Sequence, residues 1–504
     1  MRFDIVAARF EDVDIDPDKL ALIASDRDLT WVVLRAEVLA MTARMVGLHL
    51  PKGAPVAIRG HKEAGMVVAM LACMTLDHPY IPLDIMIPEE RVQRILTISG
   101  AQLIIDYSGD LLSHSCPTLL GDGSVLREGP SPENVIPYRS EDPLRYIIFT
   151  SGSTGEPKGV CIPRAAAHAF LQWTCSDFGF SAQDVFVNQA PFSFDLSVYE
   201  LFTSLHSGGT LLLNDATTAK DSLLFLKRLK RYGGTVWIST PTFAYLYLTE
   251  PRFNGNDVPS LHTFLFCGES LPKMTAKRLL DRFPESRVLN SYGPTEATVA
   301  TSLVDVTADV LARYPDMPVG APMRGSRLLT GTADGKEATK EAPGEILIIG
   351  DHVSTGYLGN DALNAQKFFT ADGKRGFRTG DYGWFEDGLL FFNGRQDEQV
   401  KLNGFRIELG DITAQLLSVP GVADAIAVPL TAGGAVKRII GFVRPMPGAA
   451  TEQELRLRIE ERLRKELPDY MVPGDISFVD PFPVSSSHKT DRKALIAGYL
   501  AKLG

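Results

Sequence analysis

Cysteine is scarce and scattered: the 504 residues hold five, at positions 73, 116, 161, 175 and 267. No two have CxxC spacing and no His/Cys cluster accompanies them, which argues against a zinc site and a disulfide framework. Positive charge is also in deficit. Lys and Arg total 51 against 61 Asp and Glu, a formal net charge of −10 with no long basic run, so no nucleic-acid partner is expected. Long apolar runs are missing as well. The longest, roughly Ala64 to Leu76, falls short of the ~20 residues a bilayer-crossing helix needs and predicts a buried helix. Met1-Arg2-Phe3-Asp4 starts no basic-then-apolar signal segment. A cytoplasmic protein without membrane insertion is therefore expected.

What is present is a globular composition, 45% hydrophobic and 22% charged, in a chain too long for one ordinary core. From about residue 143, short apolar runs alternate with helical patterns, as in a largely parallel α/β sheet. Tyr146-Ile147-Ile148-Phe149 runs into the Gly-rich loop Thr150-Ser151-Gly152-Ser153-Thr154-Gly155. A helix is predicted over Leu223–Tyr232, then a strand from Thr235 to Ile238 ending at Thr240-Pro241-Thr242. Thr263–Phe266 runs into Cys267-Gly268-Glu269, and Arg287–Asn290 into Ser291-Tyr292-Gly293-Pro294-Thr295-Glu296. Ligands bind at the carboxyl ends of parallel strands, so these four loops are candidates to converge; ordinary polar strand ends are the alternative.

Past residue 396 the pattern changes. Val422–Pro429 and Arg438–Val443 are strand-like. A helix is predicted between Thr451 and Leu467, with a Thr451-x-x-Glu454 capping box, Leu455, Ile459, Leu463 and Leu467 at i+4 spacing, and Pro468 as its stop. The expected architecture is α/β: a large N-terminal domain with parallel sheets over residues 1–396 and a small C-terminal α+β domain over 397–504.

The loop from Thr150 to Lys158 (TSGSTGEPK) offers hydroxyls, backbone N–H groups and a lysine to phosphate oxygens. It is not a P-loop, because Gly159 rather than Ser or Thr follows Lys158. The longer string Tyr146 to Val160 (YIIFTSGSTGEPKGV) resembles the signature of the adenylate-forming superfamily, which includes acyl-CoA synthetases, luciferases and the adenylation domains of nonribosomal peptide synthesis. The likeness continues, in the family's order, through His78–Asp84 (HPYIPLD), Asn290–Thr298 (NSYGPTEAT), Phe377–Asp381 (FRTGD), Gly394-Arg395 with Asp397, Gly404–Glu408 (GFRIE) and Lys489–Lys493 (KTDRK). Within that superfamily the chain most resembles the ligases that load D-alanine onto carrier proteins, through Val187–Val198 (VNQAPFSFDLSV), Phe266–Glu269 and Tyr292–Ala300.

The resemblance implies attack of a carboxylate on the α-phosphate of ATP, with ATP and Mg²⁺ required. It places Thr150, Ser151, Gly152, Ser153, Thr154 and Lys158 around the phosphates, Thr295 at the α-phosphate and Glu296 on the metal. Asp381 would accept from the ribose hydroxyls, Tyr292 would stack on adenine, and Asn290 would bond its edge. Ser291, Gly293, Pro294, Phe392 and Arg395 complete the nucleotide set. Lys489 would supply positive charge between substrate carboxylate and α-phosphate, although Ser487-His488 stands where the family carries Asn-Gly. Asp397 would be the hinge of a mobile C-terminal domain.

Asp195 decides the substrate class. A carboxylate in the acyl pocket is compensated by a cation, and an α-ammonium is that cation. Taken alone, Asp195 also suits a helix N-cap, and Asp381 after Gly380 an ordinary turn. Leu196, Tyr199, Ile238, Leu265, Cys267, Ser291, Val299 and Ala300 would line the rest of the pocket, favouring a small side chain. D-alanine is the expected substrate, with L-alanine, glycine, serine and proline as alternatives. A thiol would then attack the adenylate. Only a short stretch follows Lys489, so a phosphopantetheinylated carrier protein in trans is expected, or free coenzyme A. Asp221-Ser222-Leu223 resembles an attachment triplet but is read as a helix cap. An acyl-CoA synthetase for a non-amino acid, and a catalytically dead binding protein, are the competing readings.

Overall fold

The computed structural model describes residues 1–13, 16–109, 116–121, 124–127, 142–152, 155–332, 337–395, 399–432, 435–448, 451–483 and 490–503. The chain forms two compact units, one of residues 1–85, 96–149 and 159–396, the other of 86–95, 150–158 and 397–504.

The first unit is built on two large sheets. In the fourteen-stranded sheet, Leu20–Ile23, Thr210–Leu213, Val185–Asn188, Val236–Ser239, Thr263–Phe266 and Arg287–Tyr292 run parallel, side by side in that order. Val236–Ser239 and Thr263–Phe266 are buried along their whole length, as short apolar strands covered on both faces must be. After Arg287–Tyr292 the direction changes: Ser302–Asp305, Pro318–Pro322, Leu389–Arg395 and Lys374–Glu386 continue the sheet antiparallel. The seven-stranded sheet holds Leu144–Thr150 beside Tyr80–Asp84 and Val56–Gly60. The largely parallel sheet expected from residue 143 onward is therefore divided: Leu144–Thr150 lies between Tyr80–Asp84 and Lys158–Pro163 in the seven-stranded sheet, while the strands from Val185–Asn188 to Leu389–Arg395 belong to the other.

Local expectations hold closely. Ala64–Thr75 is a helix buried on every side. Ser222–Tyr232 is a helix whose Asp221 carboxylate accepts from the backbone N–H of Leu223 and Leu224, at 3.0 and 3.1 Å. Asp221 is thus the cap that the sequence suggested.

The second unit is α+β. Gln399–Leu402 and Phe405–Glu408 form a hairpin turned by Asn403-Gly404, with φ of +52° and +86°. Both turn residues need positive φ, which Asn tolerates and Gly adopts freely. Val422–Ala432 pairs antiparallel with Ala435–Pro445, and Asp475–Phe478 adds a parallel third strand. Helix Glu452–Glu466 starts at Thr451 with the expected reciprocal capping box. Its Leu455, Ile459 and Leu463, followed by Leu467, bury against Ile412 and Leu416 of helix Leu409–Leu417. Among the described residues no helix is long and apolar enough to cross a membrane.

Candidate functional site

In the first unit the site residues gather where the parallel strands end. Asp195 stands just before helix Leu196–Ser207 yet caps nothing; its side chain accepts no N–H of that helix. Instead its carboxylate accepts from Thr295 Oγ at 2.6 Å. The alternative reading of Asp195 as an N-cap is thereby corrected, because the hydroxyl of a residue 100 positions away holds the carboxylate. Leu196, behind it, joins the core.

Thr295–Ala297 is a 3₁₀ turn opened by Pro294. Gly293 before it is required sterically: a Cβ there would lie 2.4 Å from Ala300 Cα. Thr298 closes the turn at φ +70°, unusual for a β-branched residue. Its hydroxyl donates to His352 O at 2.6 Å, and the Tyr146 hydroxyl donates to its carbonyl at 3.3 Å, so surrounding structure holds the strained residue. Glu296 is fully buried and accepts from the Tyr357 hydroxyl at 2.6 Å.

Beside this turn lies a ring of groups suited to a nucleoside. The Tyr292 hydroxyl donates to Asp381 Oδ2 at 2.6 Å, and Arg395 Nη1 donates to Asp381 Oδ1 at 2.5 Å. Asp381 and Arg395 face each other across neighbouring strands, and Arg395 Nη2 also donates to Thr379 O at 3.0 Å. Burial, reinforced by the Asp381 carboxylate, pushes the Tyr292 phenol well above its ordinary pKa, so it stays a donor. Its ring lies 5.9 Å from that of Phe392. Asn290 donates to Pro318 O at 2.8 Å, and its buried side-chain oxygen has no hydrogen-bond partner among the described residues.

The residues expected to line the rest of the acyl pocket are buried, Tyr199, Cys267, Ser291 and Val299 among them. The Tyr199 hydroxyl donates to Ser291 Oγ at 3.2 Å, and Ser291 donates to Phe266 O at 3.0 Å. Cys267 Sγ lies 3.9 Å from Val299 O, and both residues are buried. Tyr199 is fully buried.

The phosphate-loop residues belong to the second unit. Ser151 Oγ donates to Arg406 O and accepts from Glu408 N, each at 3.1 Å. Lys158 pairs with Glu408 at 3.3 Å, and Gln399 donates to the same carboxylate at 2.7 Å. Among the described residues the buried Thr150 hydroxyl has no hydrogen-bond partner. Gly152 packs tightly, with space for a Cβ blocked by Glu156 O at 2.1 Å. Ser153, Thr154, Asp397 and Lys489 lie outside the described residues.

Among the described residues no three His, Cys, Asp or Glu side chains gather to bind an ion. Glu296 offers one buried carboxylate, which fits Mg²⁺ that takes its remaining ligands from phosphates and water. Tyr357, which donates to Glu296, lies outside every motif string and no local pattern marks it; Thr379 and Glu408 stand in the FRTGD and GFRIE strings, which assigned them no role of their own.

The chain belongs to the AMP-binding enzymes. The AMP-binding enzyme profile matches residues 10–358, and that of the AMP-binding enzyme C-terminal domain matches 411–489. More particularly, it is 39% identical to a D-alanine--D-alanyl carrier protein ligase of Bacillus licheniformis, over 95% of this chain and 96% of that protein. Among solved structures, IdnL1 matches with TM-score 0.79 and 27% identity, over 93% of this chain and 96% of its own. The Vibrio cholerae adenylation domain AlmE, in complex with glycyl-adenosine-5'-phosphate, matches with TM-score 0.82 over 99% of this chain and 97% of its own. At 24% identity that last likeness is one of fold.

Proposed function

We propose that this protein is an ATP-dependent, AMP-forming ligase that activates D-alanine and transfers it to the phosphopantetheine thiol of a separate carrier protein in the cytoplasm. The observation that carries the reading is the pairing of Asp195 with Thr295, which brings an acceptor for an α-ammonium beside the residue assigned to the α-phosphate. The near full-length identity to a D-alanyl carrier protein ligase supports it independently.

In the first step a carboxylate oxygen of the amino acid forms a bond to the α-phosphorus, and the bond from that phosphorus to the bridging oxygen breaks, releasing pyrophosphate. Two anions meet, so positioning and charge neutralisation supply the rate. Asp195 receives the α-ammonium, and Thr295 turns its hydroxyl to the α-phosphate. Asp381 takes the ribose hydroxyls on lone pairs that Tyr292 and Arg395 leave over. Tyr292 and Phe392 form the adenine platform, with Asn290, Ser291, Gly293 and Pro294 shaping its edge. Thr150, Ser151, Gly152, Ser153, Thr154 and Lys158 hold the outgoing phosphates, and Lys489 balances the charge between carboxylate and phosphorus. Glu296 would hold Mg²⁺, which when bound neutralises phosphate charge.

In the second step the thiol sulfur bonds to the acyl carbon and AMP leaves. A thiol of pKa ~8.5 is already partly ionised, so no strong base is needed. Residues 397–504 move about Asp397 between the two steps. Leu196, Cys267 and Val299 line the methyl side of the pocket, and the Cys267 sulfur sets the stereochemical preference.

ATP–pyrophosphate exchange with D-alanine, L-alanine, glycine, L-serine, L-proline and acetate tests the proposal. A dominant D-alanine signal is expected. Exchange with L-alanine or proline keeps the mechanism and overturns the Cys267 assignment, whereas exchange with acetate alone overturns the role of Asp195.

A further inference from the structure

Lys62 is 1% exposed, and none of the roles above uses it. It follows strand Val56–Gly60 of the seven-stranded sheet and precedes helix Ala64–Thr75, and its ammonium reaches the other sheet. There it donates to the side-chain oxygen of Asn188 and to Ala190 O. The same ammonium lies 4.2 Å from the centroid of the Phe192 ring. Asn188 Nδ2 donates to that Ala190 carbonyl too, at 3.3 Å. All these contacts fall between the end of strand Val185–Asn188 and the turn that Phe194 N closes onto Pro191 O at 2.9 Å. The next residue is Asp195.

Burying an ammonium costs several kcal/mol, and an apolar side chain of similar length would fill the space without that penalty. What an apolar side chain lacks is donors for two oxygens and a charge over an aromatic face. Glu200, fully buried one turn into helix Leu196–Ser207, supplies the strongest opposing charge, with Asp84 and Glu63 adding to it. Burial lowers the pKa of Lys62 and raises that of Glu200, and the attraction between the two charges opposes both shifts.

We propose that Lys62 is a positioning residue of the amino-acid site: by tying Asn188 to Ala190 beneath Phe192, it holds the segment that presents Asp195 to the α-ammonium. This rests on the role given to Asp195 above. Lys62 touches no substrate; it acts through the backbone of residues 188–195.

The test uses the full chain as Lys62→Met, Lys62→Arg and the double variant Lys62→Met/Glu200→Gln, which leaves no buried charge unopposed at the pair. Exchange kinetics and amide hydrogen exchange are read together. Lys62→Met should raise the D-alanine KM about tenfold or more while the ATP KM stays within about twofold, and Lys62→Arg should recover most of the loss. Hydrogen exchange should quicken over 188–197 and not in strand Thr263–Phe266. The double variant should keep the raised D-alanine KM. An unchanged D-alanine KM, an equal rise in both KM values, or unaltered hydrogen exchange over 188–197 overturns the proposal. A wild-type protein inactive with every amino acid overturns the function proposed above, and the hydrogen-exchange comparison still decides whether Lys62 holds the segment.

Discussion

Replacing Asp195 by Asn isolates the charge that distinguishes an amino-acid activator from an activator of simple acids. Asn keeps a carbonyl oxygen where Asp195 now accepts from Thr295 at 2.6 Å, so the turn at the phosphate side retains its anchor. Only the negative charge is lost. A hydrogen bond to a charged group is worth ~1.5–3 kcal/mol. Asp195 is partly exposed, so solvent screening sets the effect in the lower half of that range. At ~1.4 kcal/mol per tenfold, kcat/KM for D-alanine should fall by about 10- to 40-fold. The assay is pyrophosphate exchange over a D-alanine series at saturating ATP, then over an ATP series at saturating D-alanine. The ATP KM should hold within about twofold, since no nucleoside group touches Asp195 in this reading. A D-alanine KM within about threefold of wild type would refute the ammonium role and revive a substrate without an amino group.

Tyr199→Leu removes the ring and the bond to Ser291 that close the acyl pocket, so exchange with D-norvaline should rise at least about tenfold relative to D-alanine; an unchanged ratio would place the pocket floor elsewhere. Lys158→Ala should lower kcat for exchange by about 10²–10³, the loss typical of removing one preorganised donor aimed at developing negative charge; a full-rate variant removes Lys158 from the site. His352, buried and held down to about 4 from an ordinary 6.5, binds its proton more weakly in the folded chain than in the unfolded one. Its contribution to stability is therefore intact above pH 6.5 and lost as pH falls toward 4, by up to roughly 3 kcal/mol. Urea midpoints from pH 7 to 4 should fall less steeply in His352→Gln than in wild type, and parallel slopes would contradict this account.

Local features were open to reading from the chain alone. The capping box at Thr451, the cap at Asp221 and the all-round apolar helix Ala64–Thr75 each follow from a short pattern that the structure repeats. The motif residues Tyr292, Thr295 and Asp381 were legible for the same reason: each stands in a string of fixed order. Their partners were not. Tyr357 meets Glu296 and Lys62 meets Asn188 because of strand order and register, and nothing within a few residues of Tyr357 or Lys62 signals either meeting. The positive φ of Thr298 was equally hidden, since a β-branched residue is the last that propensity would place there. Sheet membership failed for a related reason. An apolar run such as Tyr146–Phe149 declares itself a strand but does not say which neighbour it will take.

The order of strands in the large sheet bears on how the protein can be made. Leu20–Ile23 forms a short antiparallel pair with Asp28–Thr30, a contact available as soon as both leave the ribosome. Its other edge waits for Thr210–Leu213, and Thr210 bonds Leu20 across 190 positions of chain. At a synthesis rate of 5–20 residues per second, that edge stays open for about 10–40 s. Through that interval an apolar strand edge is available to any other nascent chain. Slow, long-range closure of this kind predicts that yield on expression depends on temperature and holdase chaperones more than on the stability of the finished fold.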